Sequence, residues 1–191
     1  MNKIMKLTLV LLLICAIVAG VLGVVNELTY RRIDELTQEK TKTAYSAVLK
    51  AETYNPLDKA ALGLPAAIDK VNIDSVSEAL DASGNVVGYV IETTFSGAQG
   101  NITQATGVDS NFQCSGISII EHAETSGLGA VAASTSQAGV DWRAQFVGQG
   151  EGIALSKAGG EIDAISGATI TSRTITNAVA ISIQVAKEVA A

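Results

Sequence analysis

Hydroxyl side chains cluster around a Gly-Ala pair near the C-terminal end of the chain. The segment reads Asp-Ala-Ile-Ser-Gly-Ala-Thr-Ile-Thr-Ser-Arg, and its hydroxyls belong to Ser166, Thr169, Thr171 and Ser172. A helical pattern follows, with apolar residues at Ile175, Val179, Ile183 and Ala186. Hydroxyls at a helix start cap unpaired N–H groups, and the same helix end attracts an anionic phosphate. The pattern by itself therefore fits both an ordinary capped helix and a phosphate-bearing site.

Composition excludes several kinds of chemistry. The 191 residues carry a formal net charge of −6 and only 4% aromatic residues, so we expect no nucleic acid partner. His122, the one histidine, cannot build a typical zinc site alone, and we expect it to be hydrogen-bonded or exposed. Cys15 and Cys114 cannot ligate an iron–sulfur cluster, and Cys114 is predicted to be a small core residue. The sequence predicts no metal site, so electron transfer by this chain would need an organic cofactor.

An apolar run near the N-terminus is long enough to span a bilayer. Leu7 to Val25 is apolar apart from Thr8 and two glycines, which suits a membrane helix. A cleaved signal peptide has a shorter apolar run and an Ala-x-Ala site after it. Cys15 also lacks the small residue that precedes a lipoprotein cysteine. We predict an uncleaved transmembrane helix over 7–25, after a short N-terminal segment over 1–6.

Beyond the apolar run the pattern changes from helix to strand. Asn26 to Ala51 stays helical until Asn55-Pro56 breaks it, and we assign 26–65 to a helical stalk and connector. Residues 66–191 predict an α+β domain with a mainly antiparallel sheet flanked by helices. The predicted strands are Ser75–Leu80, Val86–Thr94, Asn101–Val108, Gly116–Ile120 and Gly152–Ser156, the first two forming a hairpin.

Two short segments of the domain complete the pattern. Ala130 to Ala138 is predicted to form a short helix, and Trp142 to Phe146 reads as brief and amphipathic. We expect Gln145 and Phe146 to pack against the domain. Asp141 and Arg143 look like ordinary surface charges.

The C-terminal motif resembles the flavinylation signature of FMN-binding domains. Asp163-x-x-Ser166-Gly167-Ala168-Thr169 matches the signature of the RnfG and NqrC subunits of sodium- or proton-pumping respiratory complexes. In that family the Thr of Ser-Gly-Ala-Thr carries FMN through a phosphoester bond, which a separate flavin transferase installs. The resemblance implies Thr169 as the acceptor. It places the other cofactor-binding residues of this segment at Asp163, Ser166, Gly167, Ala168, Thr171 and Ser172.

Further motifs resemble the same family in unbroken order over about residues 70–190. They are Gly88-Tyr89, Thr106 to Asp109, Gly116 to Ile119 and Trp142 to Phe146. The segment from Glu121 to Gly129 resembles the family's His-x-Glu-Thr-Pro-Gly-Leu-Gly loop, where glycines let backbone approach a flat ring. The resemblance implies cofactor contacts from Glu124, Thr125, Gly127, Leu128 and Gly129. A simple turn between strand and helix is the alternative.

The chain departs from the family pattern at two places. Ser126 replaces the usual proline, so the φ angle of this loop is less fixed. Gly97-Ala-Gln-Gly100 replaces a Gly-Tyr-Gly-Gly type of segment, which removes an aromatic side chain expected near the flavin.

The resemblance implies an electron carrier that performs no catalysis of its own. We find no arranged general acid or base and no nicotinamide fingerprint. The implied function is that of an electron-transfer subunit of an Rnf-type ferredoxin:NAD oxidoreductase coupled to Na⁺ or H⁺ transport, with covalent FMN. Its implied partners are other subunits of the complex, the flavin transferase and membrane lipid. The implied topology places the N-terminus inside and the domain on the extracytoplasmic side of the cell membrane.

Several alternatives stay open at the level of sequence. An NqrC-like subunit is disfavoured because the chain is short, with a compact stalk. A stand-alone extracytoplasmic flavinylated carrier would have the same motif. A pilin-like structural protein also joins an apolar helix to a β-rich domain, but Leu7 to Val25 lacks the acidic residue that pilins carry. A solute-binding module would need no acceptor threonine.

Overall fold

The computed structural model describes residues 3–190, except for the side chains of Arg31, Asp34 and Glu35. Its contacts divide the chain into two compact units, Met1–Lys40 and Thr41–Ala191. The terminal residues of the predicted 1–6 and 66–191 segments, namely Met1, Asn2 and Ala191, lie outside the described residues. The segment boundaries drawn from the sequence stay predictions.

The first unit consists of most of one long helix, α1 (Lys3–Val48). Within it, Lys3–Tyr30 is long and apolar enough to cross a membrane, and an 18-residue window of this stretch has a mean hydropathy of 3.0. Every large apolar side chain from Ile4 to Val25 is more than half exposed. Such an apolar surface needs a partner or a lipid phase to cover it, and this fits the predicted membrane helix.

The second unit contains a six-stranded antiparallel sheet. The strands are β1 (Thr53–Pro56), β2 (Ala67–Ile68), β3 (Val71–Leu80), β4 (Val86–Ser96), β5 (Asn101–Asp109) and β6 (Cys114–His122). Their spatial order is β1-β3-β4-β5-β6, and β2 pairs with β3. The predicted antiparallel sheet and the β3–β4 hairpin are confirmed. Asp81 closes the hairpin turn by accepting the N–H groups of Ser83 and Asn85 at 2.8 and 2.9 Å.

The sequence pattern does not predict strand β1, because Asn55-Pro56 is typical of a break between elements. The helix ends earlier, at Val48, and Thr53–Pro56 pairs with Leu80 to Ser77 of β3. Proline lacks a backbone donor and is tolerated on an edge strand. The position of β1 at the edge of the sheet therefore explains how Pro56 can belong to it.

Two other predicted elements are wrong. In place of a helix over Ala130–Ala138, a 3₁₀ segment (Gly129–Ala133) ends before α2 (Gln137–Ala144) begins. Ser136 caps α2 by accepting the N–H of Gly139 at 3.4 Å. This cap starts a separate helix after the 3₁₀ segment. The predicted strand Gly152–Ser156 is reduced to a single bridge between Leu155 and Ile162, because a 3₁₀ segment (Ser156–Ala158) turns the chain away.

Helices cover both faces of the sheet, which confirms the α+β class. The long C-terminal helix α3 (Thr169–Ala190) buries the predicted stripe Ile175, Val179, Ile183 and Ala186. These side chains belong to one core with Ile91, Phe95 and Ile102 of the sheet. Alternate residues point to opposite faces of a strand, so Val90 and Ala105 contact the last turns of α1 instead.

Candidate functional site

Glu124 joins three separate segments at one end of the sheet. Its Oε1 accepts the backbone N–H groups of Ala98 at 2.9 Å and Gln99 at 3.0 Å, in the β4–β5 turn. Its Oε2 accepts the hydroxyl of Thr171 at 2.5 Å, in the first turn of α3. The side chain is buried. The structure thus brings together the two groups of predicted site residues, 124–129 and 163–172.

Glycines allow these segments to approach one another closely. A Cβ at Gly97 would clash with Oε1 of Glu124, and one at Gly129 would clash with its Oε2 and lie 2.8 Å from Thr171 Oγ1. Gly167 has a φ of 74°, and a Cβ there would lie 3.0 Å from Leu128 Cδ2. The observed role of these glycines is loop–loop packing, and their approach to a flavin ring stays a prediction.

The loop that contains Leu128 follows Glu124 and is otherwise open to solvent. Thr125, Ser126, Gly127 and Leu128 are exposed. The carbonyl of Thr125 accepts N–H bonds from Leu128 and Ala130, both at 3.2 Å, so the turn is tied without a proline. Exposed backbone and an exposed leucine could both contact a cofactor. The predicted contacts of Thr125, Gly127 and Leu128 stay predictions.

The motif hydroxyls divide into two classes. Thr171 and Ser172 are buried and bonded: Ser172 Oγ donates to Ala168 O at 3.0 Å and accepts the N–H of Ile165 at 2.9 Å. Ser166 is exposed, and Thr169, the first residue of α3, is half-buried. Within residues 3–190, neither the Ser166 nor the Thr169 hydroxyl makes a hydrogen bond with the protein. Of the four motif hydroxyls, only these two are free to react.

A cavity of about 240 Å³ lies beside Thr169. Its lining comprises Ile153, Ala154, Leu155, Lys157, Ala158, Thr169, Arg173, Thr176 and Asn177. Lys157 and Arg173 are exposed and have no ion-pair partner in the described part of the chain. The N–H groups of Thr169, Ile170 and Thr171 also find no acceptor there, as expected in the first turn of a helix. Two cations and a helix N-terminus make this cavity attractive to an anion.

The loop before α3 is held by two side chains of the α2 region. Trp142 Nε1 donates to the carbonyl of Asp163 at 2.7 Å, and Gln145 Oε1 accepts the N–H of Asp163 at 2.8 Å. Trp142 also packs edge-on against the buried Phe146, with ring centroids 5.0 Å apart. The sequence prediction expected packing here but missed these bonds. The single tryptophan in an amphipathic segment was the available signal.

Arg143 is not the ordinary surface charge expected from the sequence. It is half-buried, and its guanidinium donates to the carbonyls of Ala132 at 2.6 Å and Ser134 at 2.9 Å. Burial lowers its pKa. The side chain therefore satisfies carbonyls at the end of the 3₁₀ segment. Asp141 is exposed, as predicted.

Neither His122 nor Cys114 stands in a reactive arrangement. His122 is exposed, and its Nδ1 accepts the N–H of Glu124 at 3.2 Å. Cys114 is 1% exposed, and burial raises the pKa of its thiol to about 12, which confirms a core residue instead of a redox thiol. Among the residues that the structure describes, no group of three His, Cys, Asp or Glu side chains could hold a metal.

Comparison with known proteins gives consistent matches along the chain. The model of a family described as an FMN-binding domain matches residues 97–184, which include Glu124, Gly129 and Thr169. The G-type subunit of the ion-translocating oxidoreductase complex of Methanosarcina acetivorans is 33% identical over 180 residues, which cover 93% of this chain and 91% of that protein.

Two other relatives match over a similar length. The G-type subunit of the Na(+)-translocating ferredoxin:NAD(+) oxidoreductase complex of Acetobacterium woodii is 32% identical, and the match covers 94% of this chain and 90% of that protein. The G-type subunit of the ion-translocating oxidoreductase complex of Escherichia coli is 30% identical, with 94% and 89% covered.

Proposed function

Because this chain belongs to the family of G-type subunits of ion-translocating oxidoreductase complexes, we propose that it carries electrons on an FMN joined to Thr169 by a phosphoester bond. The match to an FMN-binding domain supports the cofactor itself. The observation that carries the attachment is the free Thr169 hydroxyl, which lies beside a cavity lined by Lys157 and Arg173.

The groups around Thr169 fit a phosphate. A phosphate diester keeps one negative charge, which Lys157, Arg173 and the unpaired N–H groups of the first α3 turn would stabilise. The neighbouring hydroxyls are poorer acceptors, because Thr171 is committed to Glu124 and Ser172 to Ala168 and Ile165. Ser166 is free, but it lies outside the helix and does not line this cavity.

The attachment is a transfer of a phosphoryl group. Thr169 Oγ forms a bond to the flavin-bearing phosphorus of a flavin dinucleotide, and the pyrophosphate P–O bond breaks. The nucleoside monophosphate leaves with the electron pair, and the hydroxyl proton passes to a base or to solvent. The protein therefore gains one FMN less one water. When bound, FMN supplies reversible electron storage, while this chain supplies its position and its electrostatic surroundings.

The relatives and the apolar helix support a wider role. We propose that the chain is a single-pass subunit of a membrane-bound ferredoxin:NAD oxidoreductase coupled to Na⁺ or H⁺ transport, with its domain on the extracytoplasmic side. The candidate membrane helix Lys3–Tyr30 supports the membrane anchor. Lys3 and Lys6 flank one end of the apolar run and Arg31 and Arg32 the other, so charge alone does not choose the orientation, and the proposed orientation rests on the family resemblance. Other subunits, lipid and a flavin transferase are its partners in this proposal.

A covalent bond has a physical advantage in that location. A cofactor that dissociated outside the cytoplasmic membrane could not be replaced from the intracellular FMN pool, and a phosphoester removes this route of loss. The relatives, which match more than nine-tenths of the chain, favour this function over a pilin-like or solute-binding protein.

Intact mass spectrometry tests the attachment directly. The full chain is co-expressed with a flavin transferase, beside Thr169→Ala and a matched control, Thr174→Ala, which removes a hydroxyl that bonds only to helix carbonyls. We expect the wild type and the control to gain one FMN less one water and Thr169→Ala to gain nothing. An unmodified wild type, with a transferase active on another substrate, would overturn the proposal, as would a fully modified Thr169→Ala.

A further inference from the structure

Glu124 is a buried carboxylate whose partners are all neutral donors. It is 9% exposed, and the described residues give it no salt bridge. Burying a carboxylate costs free energy unless hydrogen bonds replace its hydration. Two backbone N–H groups and one hydroxyl do so here, and an ionised carboxylate can only accept such bonds. Both of its oxygens are therefore used by the protein.

These bonds reach segments that are far apart in sequence. Ala98 and Gln99 lie in a tight turn closed by Gly97 N–H donating to Gly100 O at 2.7 Å. Thr171 lies in the first turn of α3, only two residues after Thr169. The clash that a Cβ at Gly97 or Gly129 would make with Glu124 leaves no space for another side chain at the carboxylate. A displacement of Glu124 would therefore disturb both the 97–100 turn and the first turn of α3.

We propose that Glu124 is a positioning residue of the cofactor site, acting through Thr171. It fixes the first turn of α3 to the 97–100 turn and to its own loop, so that a cofactor on Thr169 is held in one orientation relative to both loops. This inference rests on the proposed attachment at Thr169. The direct contact between Glu124 and the flavin that the sequence resemblance implies stays a prediction beside it.

Variants of Thr171 test this role with the full-length flavinylated protein in detergent. Thr171→Val removes the donor at nearly constant volume, and Thr171→Ser restores it. Ser182→Ala is the matched control, because it removes another buried α3 hydroxyl, bonded to Ala178 O at 2.8 Å and remote from the motif. The two readouts are visible circular dichroism of the flavin and amide hydrogen exchange at Ala98 and Gln99.

We expect Thr171→Val to weaken the flavin dichroism severalfold. It should also accelerate amide exchange at Ala98 and Gln99 about tenfold, because the variant lacks the hydrogen bond from residue 171 to the Glu124 carboxylate. Thr171→Ser should restore both readouts to within about twofold of the wild type. Ser182→Ala should leave both unchanged even though it lowers stability. A role limited to general stability would make Ser182→Ala resemble Thr171→Val.

The two proposals fail in different ways. Wild-type dichroism and wild-type exchange in Thr171→Val would overturn the role of Glu124 while leaving the attachment intact. A wild type without flavin absorption would overturn the attachment. The exchange readout would then decide by itself whether Glu124 couples α3 to the 97–100 turn, and equal exchange in all variants would reject that coupling.

Discussion

Helix covers both faces of the sheet, but the two contacts are built differently. On one face, α3 contributes a long row of buried aliphatic side chains to a large core. On the other, only the last turns of α1 contribute, with Ala44, Tyr45 and Val48 against Val90 and Ala105. Packing on the face of the sheet covered by α3 (the α3 face) therefore depends on buried apolar area. Packing on the face covered by the end of α1 (the α1 face) depends on close backbone approach and a few polar bonds.

Glycines make the close approach on the α1 face possible. A Cβ at Gly107 would lie 2.5 Å from the carbonyl oxygen of Val48, and one at Gly116 would lie 3.3 Å from its Cα. Ser115 Oγ donates to the same carbonyl at 2.6 Å, which satisfies one of the unpaired acceptors at a helix C-terminus. At these two glycines the backbone at the end of α1 therefore approaches the backbone of the sheet directly.

The polar bonds of the α1 face include a partly buried acid–phenol pair. The hydroxyl of Tyr45 contacts Ser75 Oγ at 2.8 Å and donates to Glu92 Oε2 at 3.1 Å. Burial raises the pKa of Tyr45 to about 12. Burial also raises the pKa of Glu92, to which repulsion from Asp74 and Glu121 adds. Glu124, by contrast, accepts three hydrogen bonds from neutral donors.

The largest expected loss of stability comes from a cavity made on the α3 face. Ile175 is fully buried in the large core, and Ile175→Ala should lower the free energy of unfolding by about 2–5 kcal/mol. Val48→Ala, on the α1 face, should cost roughly 2 kcal/mol. Denaturant unfolding of the full chain in detergent measures both. An equal or greater loss for Val48→Ala would contradict the contrast between the faces.

A methyl group between α1 and the sheet should have an intermediate and local effect. Gly107→Ala places a Cβ against Val48 O, and we expect a cost of about 1–3 kcal/mol with faster amide exchange in the last turn of α1. Flavin attachment should be unchanged. Gly150→Ala is the control, because a Cβ there has nothing within 4 Å. Unaltered amide exchange at the end of α1 would show that the close approach of Gly107 to Val48 does not stabilise the end of this helix.

The smallest effect is a pH dependence on the α1 face. The folded-state pKa of Glu92 lies above its ordinary value of 4.5, so the folded chain holds this proton more firmly than the unfolded chain. Its contribution to stability is therefore greatest at low pH and is lost as the pH rises above 4.5.

Glu92→Gln should remove this dependence while keeping an acceptor for Tyr45. We expect the thermal midpoint of the wild type to fall relative to that of Glu92→Gln as the pH rises from about 4 to 7. A difference that stays constant with pH would exclude Glu92 as the titrating group.

Local patterns predicted the parts of this protein that local physics decides. Alternation marks β3 because successive side chains of a strand face opposite ways, residues with high β-propensity mark β4, and a short apolar run marks β6. The apolar stripe of α3 marks a helix because its residues recur at helical spacing. The patterns failed where neighbours decide. Pro56 lies in a strand only because β1 pairs with β3 at the edge of the sheet. Gly152 to Ser156 forms no strand because the 3₁₀ segment Ser156–Ala158 turns the chain away after the single bridge between Leu155 and Ile162.

The candidate site divides in the same way. The sequence by itself determined the N-terminal apolar helix, the hydroxyl-rich motif Asp163–Thr169 and the helix that follows it, since each depends on residues within a few positions of one another. Only the tertiary structure decided which hydroxyls are free and what holds them in place. Glu124 reaches Thr171 across 47 residues, and Trp142 reaches Asp163 across 21. Such bonds depend on how the sheet and α3 pack together, and no local sequence pattern predicts contacts between residues so far apart in the chain.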